Sequence, residues 1–126
     1  MKNRLVLILQ IALALMLLVF GANKFLHFLP QPEAPLLAKG LLMAMGEAGY
    51  FFPTVGGVFI FVGLLLLFDR FVALGLLLLT PITVNILLFH LYLDPEGIAM
   101  GAVLGALNLT LLLAHKSKYA PLLSSR

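Results

Sequence analysis

The chain consists of four long apolar runs separated by short polar stretches. The runs cover residues 5–22, 51–68, 71–93 and 98–114. A helix needs about 20 mostly apolar residues to cross the hydrocarbon of a bilayer, so the third run is long enough and the other three are on the short side. The runs are continuously apolar rather than alternating, which argues against a transmembrane barrel. Because backbone groups in lipid must be hydrogen-bonded internally, the pattern predicts an all-α bundle of four transmembrane helices.

The stretch between the first two runs, residues 23–50, has a different pattern. It contains prolines at positions 30, 32 and 35, followed by LLAKGLLMAMGEAGY. Pro35 suits the first turn of a helix, and the four-residue spacing places Lys39 and Glu47 on one face and apolar residues on another. We therefore expect a short interfacial helix that lies over the outer end of the bundle as a lid. A re-entrant segment is the second interpretation.

The composition supports the bilayer as the solvent. Of 126 residues, 63% are hydrophobic and 10% are charged, and the mean hydropathy is +1.15. Soluble domains are about half apolar and about a quarter charged, so this chain has too few charges to cover a surface that faces water. The length suits a single domain, residues 1–126. The absence of cysteine excludes disulfides and thiolate metal sites within the chain.

The distribution of basic residues predicts the orientation. Two of them, Lys24 and Lys39, fall on one side of the four runs. The other six fall on the opposite side: Lys2, Arg4, Arg70, Lys116, Lys118 and Arg126. The positive-inside rule then places both termini in the cytoplasm, with residues 23–50 outside. The basic residues form no stripe, so the net charge of +3 does not indicate a nucleic-acid partner.

The N-terminus resembles a secretory signal, with basic residues ahead of an apolar run. The run of 18 residues is longer than a usual signal core, and Phe20 would occupy the −3 position of a cleavage site. We therefore expect this run to be retained as the first span.

The candidate functional residues gather near the outer face. Lys24 and His27 follow the first run, His90 lies about one turn from the end of the third, and Glu47 lies on the lid helix. Ionisable groups near the membrane are functional candidates, and an imidazole exchanges protons near neutral pH. We expect these four residues to form a polar pocket under the lid. The alternatives are that Lys24 only extends to the headgroups and that His90 is an interfacial histidine bonded to a carbonyl or water.

Two amides and a set of glycines lie deeper in the predicted bundle. Asn85 and Asn108 fall at similar depth near the membrane centre, which indicates an interhelical hydrogen bond or, alternatively, an amide that faces a ligand. Gly97, Gly101 and Gly105 share one helical stripe with Asn108. Small residues at this spacing let helices approach closely, and the pattern favours packing within the bundle over packing against a second copy.

Several of these features occur in an order typical of one family. Arg4 precedes the first run, Gly21 and Lys24 stand in GANK at its end, and a proline-containing loop follows. The segment VGGVFIFVGLLLLF then leads into a charged turn, and the third run ends near His90. In these respects the chain resembles the DoxX-like group of small four-helix bacterial membrane proteins. It departs from them at residues 56–63, where the family often has an acidic residue and this chain has none.

The resemblance implies a function that the residues alone do not. Some relatives are membrane subunits of quinone-linked oxidoreductases, so the resemblance implies an accessory or anchor subunit with a membrane or soluble oxidoreductase partner and quinone as its ligand. Two histidines are weak evidence for a b-type haem, which is disfavoured. The sequence contains no self-contained catalytic motif and predicts no metal site. The alternatives are an assembly subunit without its own chemistry, a homo-oligomer, or a small-molecule or lipid carrier.

Overall fold

The computed structural model describes residues 3–29 and 33–125, and within them every regular element is helical. The helices are α1 (Arg4–Leu26), α2 (Leu36–Ala48), α3 (Phe51–Leu67), α4 (Val72–Leu93), α5 (Ile98–Ala114) and α6 (Lys116–Tyr119). Short 3-10 turns cover Pro95–Gly97 and Ala120–Leu123. The prediction of an all-α chain is confirmed for the described residues. The charges expected at Lys2 and Arg126, and the prolines at positions 30 and 32, lie outside them.

The four long helices form a closed ring. α1 packs along α3, α3 along α4, α4 along α5, and α5 returns to α1, while α2 touches α3 and α4. The side chains buried in the centre include Leu13, Leu17, Val62, Leu66, Leu76, Leu79, Leu104 and Leu111. The outside is also apolar, with exposed side chains such as Leu15, Phe61, Leu88 and Leu109. A bundle that is apolar on both its inside and its outside is suited to lipid rather than to water.

Three helical segments are long and apolar enough to cross a membrane. They are α1, α4 and the segment Pro95–Ala114 that includes α5. α3 has 17 residues, which span about 26 Å at about 1.5 Å per residue. α2 and α3 together qualify as a fourth span, but they are bent by 86° with respect to each other. Residues 3–29 and 33–125 therefore contain three or four helices that could span a membrane, which is consistent with a multi-pass membrane protein.

α1 continues one turn beyond the predicted end of the first run. Residues 23–26 contain no helix-breaking residue, and α1 ends where His27 adopts a left-handed conformation with φ 53°. The buried Asn23 closes this end, because its side-chain oxygen accepts a hydrogen bond from the Leu29 backbone N–H at 2.8 Å. Lys24 therefore lies in the last turn of α1 rather than in a loop.

The closest helix contact joins α1 to α3. A Cβ atom added to Gly56 would lie 3.0 Å from the Gly21 carbonyl oxygen, and one added to Gly21 would lie 3.0 Å from the Gly56 carbonyl oxygen. A Cβ added to Gly63 would lie 3.2 Å from the Ala14 carbonyl oxygen. Small residues on both helices thus bring the two backbones together, as is common in membrane bundles.

α4 passes through Pro81 without ending. Proline lacks the backbone N–H that would complete this turn of the helix. The Thr80 hydroxyl donates to the Leu76 carbonyl at 2.7 Å, whereas the buried Thr83 hydroxyl has no partner in residues 3–29 and 33–125. One of the two threonines therefore provides a hydrogen bond beside the proline.

Candidate functional site

Lys24 lies at the predicted outer end of α1 and contacts an aromatic ring. Its side chain is partly buried, and its Nζ atom is 5.5 Å from the centre of the Phe52 ring at the start of α3. A cation within about 6 Å of an aromatic face is attracted by the ring. Lys24 is therefore held against the start of α3.

The predicted four-residue pocket is not joined by direct polar contacts. His27 and Glu47 are both exposed. Among residues 3–29 and 33–125, no hydrogen bond or ion pair links Lys24, His27, Glu47 or His90 to one another. The structure places them near one end of the bundle but gives Lys24 and His90 other partners.

His90 is instead paired with Asp94, the residue that directly follows α4. Nδ1 of His90 is 3.3 Å from the Asp94 carbonyl oxygen and 3.9 Å from the Asp94 carboxylate. Asp94 is buried, and His90 is partly buried. The imidazole lies against α5, where Cβ atoms added to Gly97 and Gly101 would be 3.3 and 3.2 Å from the ring. The two glycines therefore make room for the imidazole.

The glycine stripe of α5 packs against α4 of the same chain. A Cβ at Gly101 would lie 3.3 Å from the Ile86 side chain, and one at Gly105 would lie 2.9 Å from Leu87. Further along the stripe, the buried Asn108 directs Nδ2 toward the Leu76 carbonyl at 3.5 Å. Within the part of the chain that the structure describes, its Oδ1 atom has no hydrogen-bond partner.

Asn85 is exposed on the outside of α4. It does not share an interhelical hydrogen bond with Asn108, and it does not face the interior of the bundle. The reason is the angle between the two side chains around the helix axis. Residues 85 and 90 are about 140° apart around a helix, so a helix that turns His90 toward α5 turns Asn85 away.

An open apolar cleft of about 490 Å³ lies between α2 and the end of α4. Its lining residues are Leu36, Leu37, Gly40, Leu41 and Leu93. Leu93 lies in the last turn of α4, as does His90. Ligand sites are typically clefts of about 300–1,000 Å³ that are mostly apolar with a few polar groups nearby. The lid helix and the imidazole are therefore parts of one end of the molecule.

At the opposite end the structure reveals polar residues that the sequence interpretation missed. Gln10 is fully buried and donates to the Leu66 carbonyl at 2.8 Å and to the Asp69 carboxylate at 3.0 Å. It joins the first turns of α1 to the end of α3. A single amide within an otherwise apolar run was the available signal.

His115 is the second missed residue. It follows the last residue of α5 and is 7% exposed. Its Nδ1 atom is 2.8 Å from the Leu111 carbonyl, and its Nε2 atom is buried with no hydrogen-bond partner among the described residues. The sequence shows only a histidine at the start of a basic tail, which does not distinguish a buried ring from an exposed one.

Among the described residues, no group of three or more His, Cys, Asp or Glu side chains is placed to hold a metal ion. No family model, curated protein or solved structure matches the chain. The resemblance to DoxX-like proteins therefore stays a prediction.

Proposed function

We propose that the protein is a DoxX-like subunit of the bacterial inner membrane, with both termini in the cytoplasm, that serves a quinone-linked redox system. In this proposal it is an accessory or anchor subunit and binds quinone at the outer end of α4. One observation carries the proposal: the apolar cleft under α2 lies at the same end of α4 as the partly buried His90–Asp94 pair.

The cleft and the imidazole match the apolar and the polar parts of a quinone, respectively. The leucine-lined cleft suits an apolar ring and its isoprenoid tail. If Nδ1 of His90 donates to the Asp94 carbonyl, Nε2 of the neutral ring accepts a hydrogen bond from a quinol hydroxyl. A protonated ring, paired with the Asp94 carboxylate, donates to a quinone carbonyl instead. Asp94 thus orients the imidazole for either redox state.

Purified protein tests this proposal directly. Lipid extracted from it should contain quinone, and a short-tailed quinone should raise its unfolding temperature. His90→Asn should weaken binding about tenfold, the equivalent of about 1.4 kcal/mol. His27→Asn is the matched control, because His27 is exposed and asparagine tolerates its left-handed backbone.

Two results would overturn the quinone assignment. The first is a wild-type protein that contains no quinone and is not stabilised by one. The second is an affinity that His90→Asn and His27→Asn change equally, which would show that the imidazole at position 90 has no special role.

The second candidate is an assembly subunit, and one specific observation favours it. Asn85 presents an amide on the apolar outer face of α4, where hydrogen bonds between helices contribute roughly 0.6–2 kcal/mol. Gly101 and Gly105 already pack within the chain, so a partner helix would use the Asn85 face instead. Asn85→Leu should then abolish co-purification of a membrane partner, and a partner that is retained would exclude this surface.

A further inference from the structure

One end of the bundle carries most of the positive charge. This basic end comprises the start of α1, the turn between α3 and α4, and the tail (residues 116–125). The sequence places six basic residues and one acidic residue there, against two basic and four acidic residues at the other end. The one acidic residue, Asp69, already accepts a hydrogen bond from Gln10. Most of the positive charge of the basic end is therefore not balanced by carboxylates of the same end.

The basic side chains that the structure describes at this end are all exposed. They are Arg4, Arg70, Lys116 and Lys118. Among residues 3–29 and 33–125, none of the four forms an ion pair with a carboxylate. The two lysines follow α5 closely, within the short helix α6. The basic end therefore presents cationic groups that can bind anions from outside the chain.

The tail is held beside the start of an apolar helix. The Tyr119 hydroxyl donates to the carbonyl of Ala73, the second residue of α4, at 2.8 Å. Lys118 lines the same open groove of about 460 Å³ as Phe71 and Leu74, which are both exposed. α4 is one of the helices that are long and apolar enough to cross a membrane. The tail lysines therefore lie near the level at which this helix would enter the bilayer.

The tail also exposes two leucines. Leu122 and Leu123 are 67% and 85% exposed and lie in the 3-10 turn that follows α6. They are outside the segments that could span a membrane. Three residues of a 3-10 helix rise about 6 Å, so Leu122 stays close to Tyr119 and the start of α4. Lysines next to exposed leucines are suited to the boundary between the headgroups and the acyl chains of a bilayer.

We propose that the basic end binds anionic phospholipids and that the tail lies in the headgroup layer of the bilayer. Lys116 and Lys118 pair with the lipid phosphates, and Leu122 and Leu123 enter the boundary with the acyl chains. Each basic residue near an anionic membrane surface strengthens binding about fivefold. The proposal relies on the membrane placement proposed above, but neither on quinone binding nor on which end of the bundle faces the cytoplasm.

Other partners match only part of this surface. An acidic protein surface matches the lysines but not the two exposed leucines, and the Tyr119 contact holds the tail against α4 rather than out in the water. A zwitterionic lipid accepts the leucines, but its headgroup has no net charge to match the excess of basic residues. An anionic lipid matches both features.

The test uses the full chain in vesicles of phosphatidylcholine, with or without an equal part of phosphatidylglycerol. Because the chain has no cysteine, Ser125→Cys provides a single site for an environment-sensitive fluorophore. The emission wavelength and the quenching by acrylamide, which is neutral and stays in water, measure the partition of the tail between water and bilayer. Both leaflets have the same composition, so the orientation of the protein does not affect the result. The partition should be about tenfold or more higher in the anionic vesicles.

Variants at exposed positions separate the charges from the leucines. Lys116→Ala and Lys118→Ala should each lower the partition about fivefold in the anionic vesicles and leave it unchanged in phosphatidylcholine. Lys39→Ala is the matched control, because Lys39 is an exposed lysine at the other end of the bundle. Leu122→Ser should lower the partition in both kinds of vesicle. Salt at about 1 M shortens the Debye length to about 3 Å and should remove the preference for anionic vesicles.

Three outcomes would overturn the proposal. They are equal partition in the two kinds of vesicle, equal effects of Lys118→Ala and Lys39→Ala, and a preference that about 1 M salt does not reduce. A tail that remains in water in both kinds of vesicle would favour an acidic protein surface instead. The same emission shift on adding inorganic phosphate to phosphatidylcholine vesicles would assign the lysines to a free anion. A protein that does not insert into vesicles would contradict the membrane placement itself, a result that differs from all of these.

Discussion

Replacing Gly56 by alanine should destabilise the bundle at the contact between α1 and α3. The added Cβ would lie 2.7 Å from Cβ of Lys24, 2.9 Å from the Phe25 ring and 3.0 Å from the Gly21 carbonyl oxygen. Ordinary van der Waals contact begins at 3.4 Å. The Phe25 ring can rotate, but the Lys24 Cβ atom and the carbonyl oxygen are fixed to the α1 backbone, so α1 has to move.

The magnitude follows from two opposing effects. Overpacking of this kind costs about 1–3 kcal/mol. Alanine is favoured over glycine within a helix by roughly 0.5–1 kcal/mol, which offsets part of the cost. The expected net loss is about 1–2 kcal/mol, or a fall in unfolding temperature of about 4–8 °C for a domain of this size.

Gly57→Ala is the matched control. Gly57 is the next residue of the same helix, and no atom lies within 4 Å of the position its Cβ would take. The Gly57→Ala variant gains the higher helix propensity of alanine without a steric clash, so its stability should be equal to or slightly above that of the wild type. Thermal unfolding in a single detergent, followed by far-UV circular dichroism, compares the two variants.

Equal unfolding temperatures for Gly56→Ala and Gly57→Ala would refute the reasoning. That result would mean that α1 and α3 are not in backbone contact at this point. A loss in both variants would instead indicate that position 57 faces a contact in the detergent-solubilised protein.

Three further predictions concern the ends of the bundle. Gln10→Leu should lower the free energy of unfolding by about 1–3 kcal/mol in the same assay, because it leaves the Leu66 carbonyl and the Asp69 carboxylate without this donor. An unchanged stability would show that water replaces the amide. The Tyr119 hydroxyl donates to the Ala73 carbonyl at 2.8 Å, which docks α6 on the start of α4. Partial burial raises the pKa of this phenol above its ordinary 10.0, so the docked tail favours the neutral form. Docking should therefore persist below about pH 10 and be lost as the pH rises through the raised pKa. Limited proteolysis of wild type and Tyr119→Phe measures this, and a cleavage rate independent of pH in wild type would contradict it. An impermeant reagent applied to intact cells should label neither terminus, and labelling of either would reverse the proposed orientation.

The helices themselves were accessible from the sequence, because apolar runs specify membrane helices by length alone. The residues at which the helices begin and end were harder to predict from the sequence. α1 is one turn longer than predicted, through residues 23–26, because it ends at the left-handed backbone of His27 and not at a proline or glycine. Pro81 did not divide α4, because a helix surrounded by other helices tolerates one missing hydrogen bond.

Rotation about each helix axis limited the prediction of the site. Depth along a helix follows from counting residues, but the direction of a side chain does not: of the two amides, only Asn108 turns inward, and Asn85 is exposed. A membrane helix that is apolar all round carries little amphipathic signal to fix its rotation. His90 and its carboxylate partner, and the buried ring of His115, depend on the same information and required the three-dimensional arrangement.

The buried amide of Gln10 has a consequence for how the protein is made. Its two acceptors lie 56 and 59 residues further along the chain, at the far end of α3. At about 5–20 residues per second, a ribosome needs about 3–12 s to supply them after Gln10 itself has been synthesised. During that interval the nascent helix carries an unmatched polar group, which favours its retention beside the translocon or a chaperone until its hydrogen-bonding partners emerge.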